Sequence, residues 1–100
     1  MSQAISVDKR KLAELCRKRH IIRLAFFGSV LRNDFNADSD LDVIVDFEEN
    51  RVPGFLVLYE IEQELSRLFA GRKVDLLTSK SLHPRLRRHV LESAEVQYAS

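Results

Sequence analysis

Asp40 and Asp42 stand one residue apart at the opening of an otherwise apolar run, residues 41–47, reading LDVIVDF. The run is rich in β-formers, and side chains alternate across a strand. Positions 40 and 42 therefore share one face, while Leu41, Val43, Val45 and Phe47 share the other. Two carboxylates placed there are costly without a counter-ion, and a divalent metal is the obvious one. A third acid, Asp75, interrupts a second short apolar run, VDLLT. If its strand lies beside that of the pair, Asp40, Asp42 and Asp75 can together hold one or two Mg²⁺ ions. Hard oxygen donors without cysteine or suitably spaced histidine favour Mg²⁺ or Mn²⁺ over zinc. Such a centre binds nucleotide phosphates, activates an attacking hydroxyl and stabilises the leaving oxygen of an in-line displacement. Gly28 and Ser29, separated from the acid pair by ten intervening residues, add a tight turn, backbone N–H groups and a hydroxyl for the outer phosphates.

Taken singly, an Asp-x-Asp or a Gly-Ser is common in ordinary loops and surface strands. The order is what carries information: strand, Gly-Ser turn, loop, acid pair opening a second strand, helix, acid inside a third strand. Asp46 falls on the same strand face as the pair but further from the loop end, and reads as a surface acid rather than a fourth ligand.

The elements that must position these groups are legible from periodicity. Residues 7–19 read as an amphipathic helix with Leu12, Leu15 and Cys16 on one stripe and Ser6 or Asp8 as its cap. Its closing Arg17, Lys18 and Arg19 read as a solvated face that complements the helix dipole, and Cys16 reads as core. Residues 21–27, IIRLAFF, form a buried strand ending at Gly28. Residues 30–39 have turn-forming composition, with room for one helical turn after Ser29. After an exposed EENRVPG loop, Phe55 to Ala70 places Leu58, Ile61, Leu65 and Leu68 at helical spacing, with Gly71 to end the helix. The last helix spans Ser81 to Ala94, with Pro84 in its first turn and Leu86, Val90, Leu91 and Ala94 inward. Its outer face is basic, with Lys80, Arg85, Arg87 and Arg88; His83 and His89 have no metal-ligand spacing. The tail VQYAS either adds an edge strand or frays. The expected fold is therefore α/β (α+β), a small mixed sheet of three to four strands flanked by helices.

One hundred residues allow one domain, 1–100, with one modest core. With 16 Lys and Arg against 15 Asp and Glu, bulk charge does not announce a nucleic-acid binder, and no aromatic-basic platform supports one. A single cysteine excludes an internal disulfide and any Cys-based zinc site. With no signal-peptide pattern and no membrane-length apolar run, the expectation is a cytoplasmic protein without membrane association.

The set Gly28-Ser29, Ser39-Asp40-Leu41-Asp42 with Val43 to Phe47 behind it, and Gly71-Arg72-Lys73-Val74-Asp75-Leu76 resembles the minimal nucleotidyltransferases, small members of the DNA polymerase β-like nucleotidyltransferase superfamily. The resemblance spans almost the whole chain, including the closing helix from Leu82-His83-Pro84. It implies that Asp40, Asp42 and Asp75 are the catalytic metal ligands, with Gly28 and Ser29 as the phosphate-binding turn. Arg32 matches a family arginine and becomes a phosphate contact. Val30, Leu31 and Asn33 depart from the usual pattern; Asn33 replaces glycine with a residue tolerant of a left-handed backbone. The implied activity is transfer of a nucleoside monophosphate, AMP from ATP, to an acceptor hydroxyl. Relatives of this kind are often paired with a small helical HEPN-type protein, for which they serve as antitoxin and which they nucleotidylate on tyrosine. The rival expectation is a binding module that neutralises its partner by contact, through the basic helix from Lys80 to His89 or an exposed sheet edge. A homodimer through a self-pairing edge strand stays open alongside both.

Overall fold

A computed structural model of the chain describes residues 7–28 and 40–100. Among the described residues the order is α1 (Lys9–Lys18), β1 (Ile21–Phe27), β2 (Leu41–Phe47), α2 (Phe55–Leu68), β3 (Val74–Thr78), a 3₁₀ turn (Ser79–Ser81), α3 (Pro84–Ser93) and β4 (Glu95–Ala99). The strands form one mixed sheet in the order β3-β2-β1-β4. β1 pairs antiparallel with both β2 and β4, and β2 pairs parallel with β3. The tail is thus an edge strand, which makes the expected α/β sheet four-stranded.

The helices start and stop for local reasons. Asp8 caps α1, its carboxylate accepting from the N–H groups of Arg10 and Lys11 at 3.1 Å each. α2 stops at Leu68, two residues before the sequence reading, because Ala70 and Gly71 both turn left-handed and the Gly71 N–H returns to the Ser66 carbonyl at 2.8 Å. His83 caps α3 through Nδ1, which accepts from the Arg85 N–H, and Pro84 follows in the first turn. The sequence reading began this helix at Ser81, where the chain instead makes the 3₁₀ turn.

The core lies between α1 and α2 and one face of the sheet. Leu12 and Cys16 of α1 and Ile61 and Leu65 of α2 meet Leu24 and Phe26 of β1 and Leu41, Val43 and Val45 of β2, all essentially without exposure. Phe69 closes one end, edge to face on Phe26 with ring centroids 5.6 Å apart. Burial pushes the Cys16 thiol up to about 12, which Arg17 only partly offsets, so this cysteine is packing and not a nucleophile. Ala25 and Ile44, which alternate toward the other face, are buried as well. The two central strands are therefore enclosed on both sides at mid-length, and β2 reads as a nearly continuous apolar run.

The basic end of α1 does more than face solvent. Arg19 Nε donates to Glu64 Oε1 at 2.8 Å, Lys18 Nζ lies 3.2 Å from Oε2 and Arg19 also approaches Glu60, so this cluster ties α1 to α2. The Arg19 guanidinium first, then Lys18, holds the Glu64 carboxyl below its ordinary value against the opposing effect of desolvation. A carboxylate whose folded pKa is depressed contributes stability above its unfolded pKa and loses it as pH falls through the folded value. Glu64→Gln is expected to cost roughly 1 kcal/mol near neutral pH. That difference should vanish once the pH has fallen through the depressed Glu64 value, where both chains carry a neutral side chain. Urea unfolding of the two proteins across this range provides the check.

Candidate functional site

The strand directions bring three chain ends to one end of the sheet. β1 finishes there at Phe27, and β2 and β3 both begin there. Asp42 pairs across β1 with Phe27 and across β3 with Asp75. Parallel neighbours in register project to the same face about 4.8 Å apart, so Asp42 and Asp75 form an adjacent acid pair on the face opposite α1 and α2. The adjacency of the two acidic strands, a condition at the sequence level, is met.

Asp40 sits exposed just ahead of β2, Asp42 is half-buried inside the strand and Asp75 is exposed on β3. Lys73, immediately before β3, accepts the Leu41 N–H on its carbonyl at 2.9 Å and places its Nζ 4.0 Å from Asp40 Oδ2. These two links fix where β2 and β3 begin relative to each other.

Gly28 closes the site from the β1 side. Its φ is +75°, and a β-carbon there would stand 3.2 Å from Asp42 Cγ and closer still to Oδ2. Glycine is required twice over, for the left-handed backbone and for the approach of that backbone to a carboxylate. Ser29 and Arg32, the other expected phosphate contacts, lie outside the described residues.

The donor set of aspartates suits a hard divalent cation. Among the described residues, however, no three His, Cys, Asp or Glu side chains gather into one metal-binding cluster. The structure brings Asp42 and Asp75 together and leaves Asp40 beside Lys73. A cation held here would draw on Asp42 and Asp75, with Asp40 at the rim.

Several residues were not legible as neighbours of the site. Asp46 is not simply a surface acid: the Ser79 hydroxyl donates to its Oδ1, which engages it toward the far end of β2. Ser79 is nearly buried, and Arg87 Nε of α3 donates to its carbonyl at 2.7 Å. Arg87 also reaches the Lys80 and Leu82 carbonyls, so it anchors α3 and is not part of a free basic face. Glu62 of α2 accepts the Leu76 N–H on Oε2 at 3.0 Å. A groove of about 360 Å³ lined by Lys11, Leu15, Glu64, Arg67 and Leu68 lies on the helical side, away from the acid pair.

Comparison with known proteins follows the same geometry. Residues 9–96 match the family described as "Nucleotidyltransferase domain". The chain is 37% identical over 94 residues to the protein adenylyltransferase MntA of Thermococcus cleftensis, covering 94% of this chain and 87% of that protein. Among solved structures, one described as a candidate minimal nucleotidyltransferase superposes with a TM-score of 0.71 at 37% identity, covering 86% of this chain and 85% of that one. An MNT antitoxin, solved in complex with a tri-AMPylated HEPN toxin from Shewanella oneidensis, superposes with a TM-score of 0.66 at 20% identity over 92% of this chain and 70% of its own, a likeness of fold. The mixed sheet, the glycine packed on the first strand-borne acid and the in-register partner of that acid are features of a chain that belongs to the nucleotidyltransferase domain family.

Proposed function

We propose that this chain is a Mg²⁺-dependent protein adenylyltransferase that acts as an antitoxin, moving AMP from ATP to a hydroxyl on a small helical HEPN-type partner in the cytoplasm. The observation that carries this reading is the in-register pair Asp42 and Asp75 beside the left-handed Gly28. The 37% identity to a named protein adenylyltransferase supports the protein acceptor.

Asp42 and Asp75, with Asp40 at the rim, are the residues that would hold the cation. When bound, it supplies neutralisation of the triphosphate charge and activation of the incoming hydroxyl. The chain's own residues set the geometry. Gly28 brings the end of β1 against Asp42, beside the carboxylates that would face the reacting phosphoryl. Ser29 and Arg32 are assigned to those phosphates on the strength of the motif. In the reaction the acceptor oxygen forms a bond to the α-phosphorus and pyrophosphate departs in line.

Incubation with radiolabelled ATP, Mg²⁺ and the HEPN-type partner is the direct test. Label is expected on the partner and absent with Asp42→Ala. ATP bound without label on any acceptor hydroxyl would overturn transfer.

A second reading, neutralisation by contact alone, is favoured by a different observation. Val52, Phe55, Leu56 and Tyr59 are exposed by 54, 91, 83 and 61% on the loop before α2 and its first turns. That patch lies at the end of the sheet away from the acid pair, because α2 begins where β2 has ended. Partner binding through it would survive loss of the acids. Sheet edges are a less open route than the sequence implied: the Leu76 N–H on β3 is taken by Glu62, and the Gln97 carbonyl on β4 is taken by Lys9. Among the described residues no helix is long and apolar enough to cross a membrane.

A further inference from the structure

The third acid of the site has the least secure support of the three chain segments that meet there. Among the described residues β3 is an edge strand, hydrogen-bonded to β2 on one side only. Asp75 is exposed, and its register against Asp42 decides whether the two carboxylates share a face. A slip of one residue would turn Asp75 to the opposite side of the sheet.

α2 grips this strand on both sides of Asp75. Glu62 Oε2 accepts the Leu76 N–H at 3.0 Å, and Ser66 Oγ donates to the Arg72 carbonyl at 2.7 Å. Glu62 and Ser66 are one helical turn apart and therefore share a face of α2. Their base is rigid, because Ile61 and Leu65, the residues immediately before each, are fully buried in the core. The Leu76 N–H would otherwise be an edge donor left to water. Its acceptor is a carboxylate, and hydrogen bonds to charged groups are stronger than neutral ones.

We infer that Glu62 is a positioning residue for the reaction, holding Asp75 in register with Asp42 through the Leu76 N–H, with Ser66 as the second point of the grip. The inference rests on the reading of Asp75 as a ligand of the catalytic cation. Glu62 acts through the strand and touches neither nucleotide nor metal.

Mn²⁺ binding to the purified full chain, followed by the electron paramagnetic resonance of free Mn²⁺, gives a readout independent of turnover. Amide exchange at Leu76 by NMR reports the hydrogen bond itself. Glu62→Ala is expected to expose the Leu76 amide to exchange and to weaken Mn²⁺ binding on the order of tenfold, the scale of outer-sphere losses at metal sites. Glu62→Gln, which keeps a carbonyl acceptor without the charge, is expected to restore both. If Glu62→Ala frees the amide while Mn²⁺ affinity stays at the wild-type value, Glu62 only tidies an edge and the inference is overturned. If Glu62→Gln is as impaired as Glu62→Ala, charge rather than the hydrogen bond is at work, which also overturns it. Should Glu62→Ala fail to fold, Ser66→Ala asks the same question from the Arg72 side, with weaker Mn²⁺ binding expected and unchanged binding decisive against. Asp75→Asn separates the two levels: unchanged Mn²⁺ affinity in that variant removes Asp75 from the ligand set and the inference with it. Loss there but not in the α2 variants overturns the inference alone.

Discussion

Gly28→Ala is expected to lower nucleotide transfer by about 10²-fold, the cost of displacing a catalytic group by roughly an ångström. Two effects combine. The residue holds φ at +75°, where a β-carbon costs about 1–2 kcal/mol. That carbon would also press on the Asp42 carboxylate, 3.2 Å from Cγ and 3.4 Å from Cβ. Either the end of β1 retreats or Asp42 rotates, and both open the gap between Gly28 and the acid. The melting temperature should fall by about 4–8 °C for each kcal/mol lost in a domain this small. A double-mutant cycle with Asp42→Ala apportions the two terms. If contact with the carboxylate dominates, the stability cost of Gly28→Ala shrinks once Asp42 has been truncated. If it is unchanged there, backbone strain is the whole effect and Asp42 is not displaced.

The parts of the site that could be read from the chain are those governed by local rules. A period of two placed Asp40 and Asp42 on one face and Val43 and Val45 on the other, and the structure buries the latter pair to within 1%. A period of three to four picked Ile61 and Leu65 as the buried stripe of α2, even though Phe55 and Leu56 ahead of them are equally apolar and stand almost fully exposed. Periodicity succeeded there where hydrophobicity alone would have failed. The contacts that escaped join separate elements and are made by side chains whose types have several uses. Glu62 looks like any solvent-facing glutamate until β3 is placed beside α2. Arg87 looks like one of three helical cations until the 3₁₀ turn offers it carbonyls. Lys18 and Arg19 look like a dipole-complementing end until Glu64 arrives from a helix 45 residues on. No spacing rule encodes these pairings, because they follow from how elements dock. The edge strand β4 was undecidable for a related reason: its five residues become a strand by pairing with β1 and by the grip of Lys9 on Gln97.

The docking of β3 against β2 also has an energetic consequence that separates stability from activity. Asp42 and Asp75 are in-register neighbours of like charge, an arrangement that destabilises a sheet. Folding therefore works against the site, and the burial of Leu41, Val43 and Val74 on the opposite face must offset it.

Asp75→Asn is the substitution that exposes this trade. Asp75 is solvent-exposed and its neighbour Asp42 is the residue packed on Gly28, so Asn at 75 removes one charge of the pair while leaving the crowded side of the site intact. Transfer to the partner is expected to fall by at least about 10²–10³-fold, the scale of losing one preorganised electrostatic element of a transition state. Thermal stability in the absence of divalent cation should hold or rise, since a repulsion has been relieved. Any such gain should shrink at high salt, because screening weakens the repulsion between exposed charges. Adding Mg²⁺ reverses the order of the two proteins. A ligand that binds only the folded state stabilises it in proportion to its affinity, so the wild type should gain melting temperature with Mg²⁺ and Asp75→Asn should gain little. A variant that lost transfer yet kept the full Mg²⁺ response would place Asp75 in proton transfer or acceptor orientation, outside the ligand set. A variant less stable than wild type without metal would mean that the in-register carboxylates are not repelling each other, and that Asp75 is held by an attraction the strand pairing does not account for.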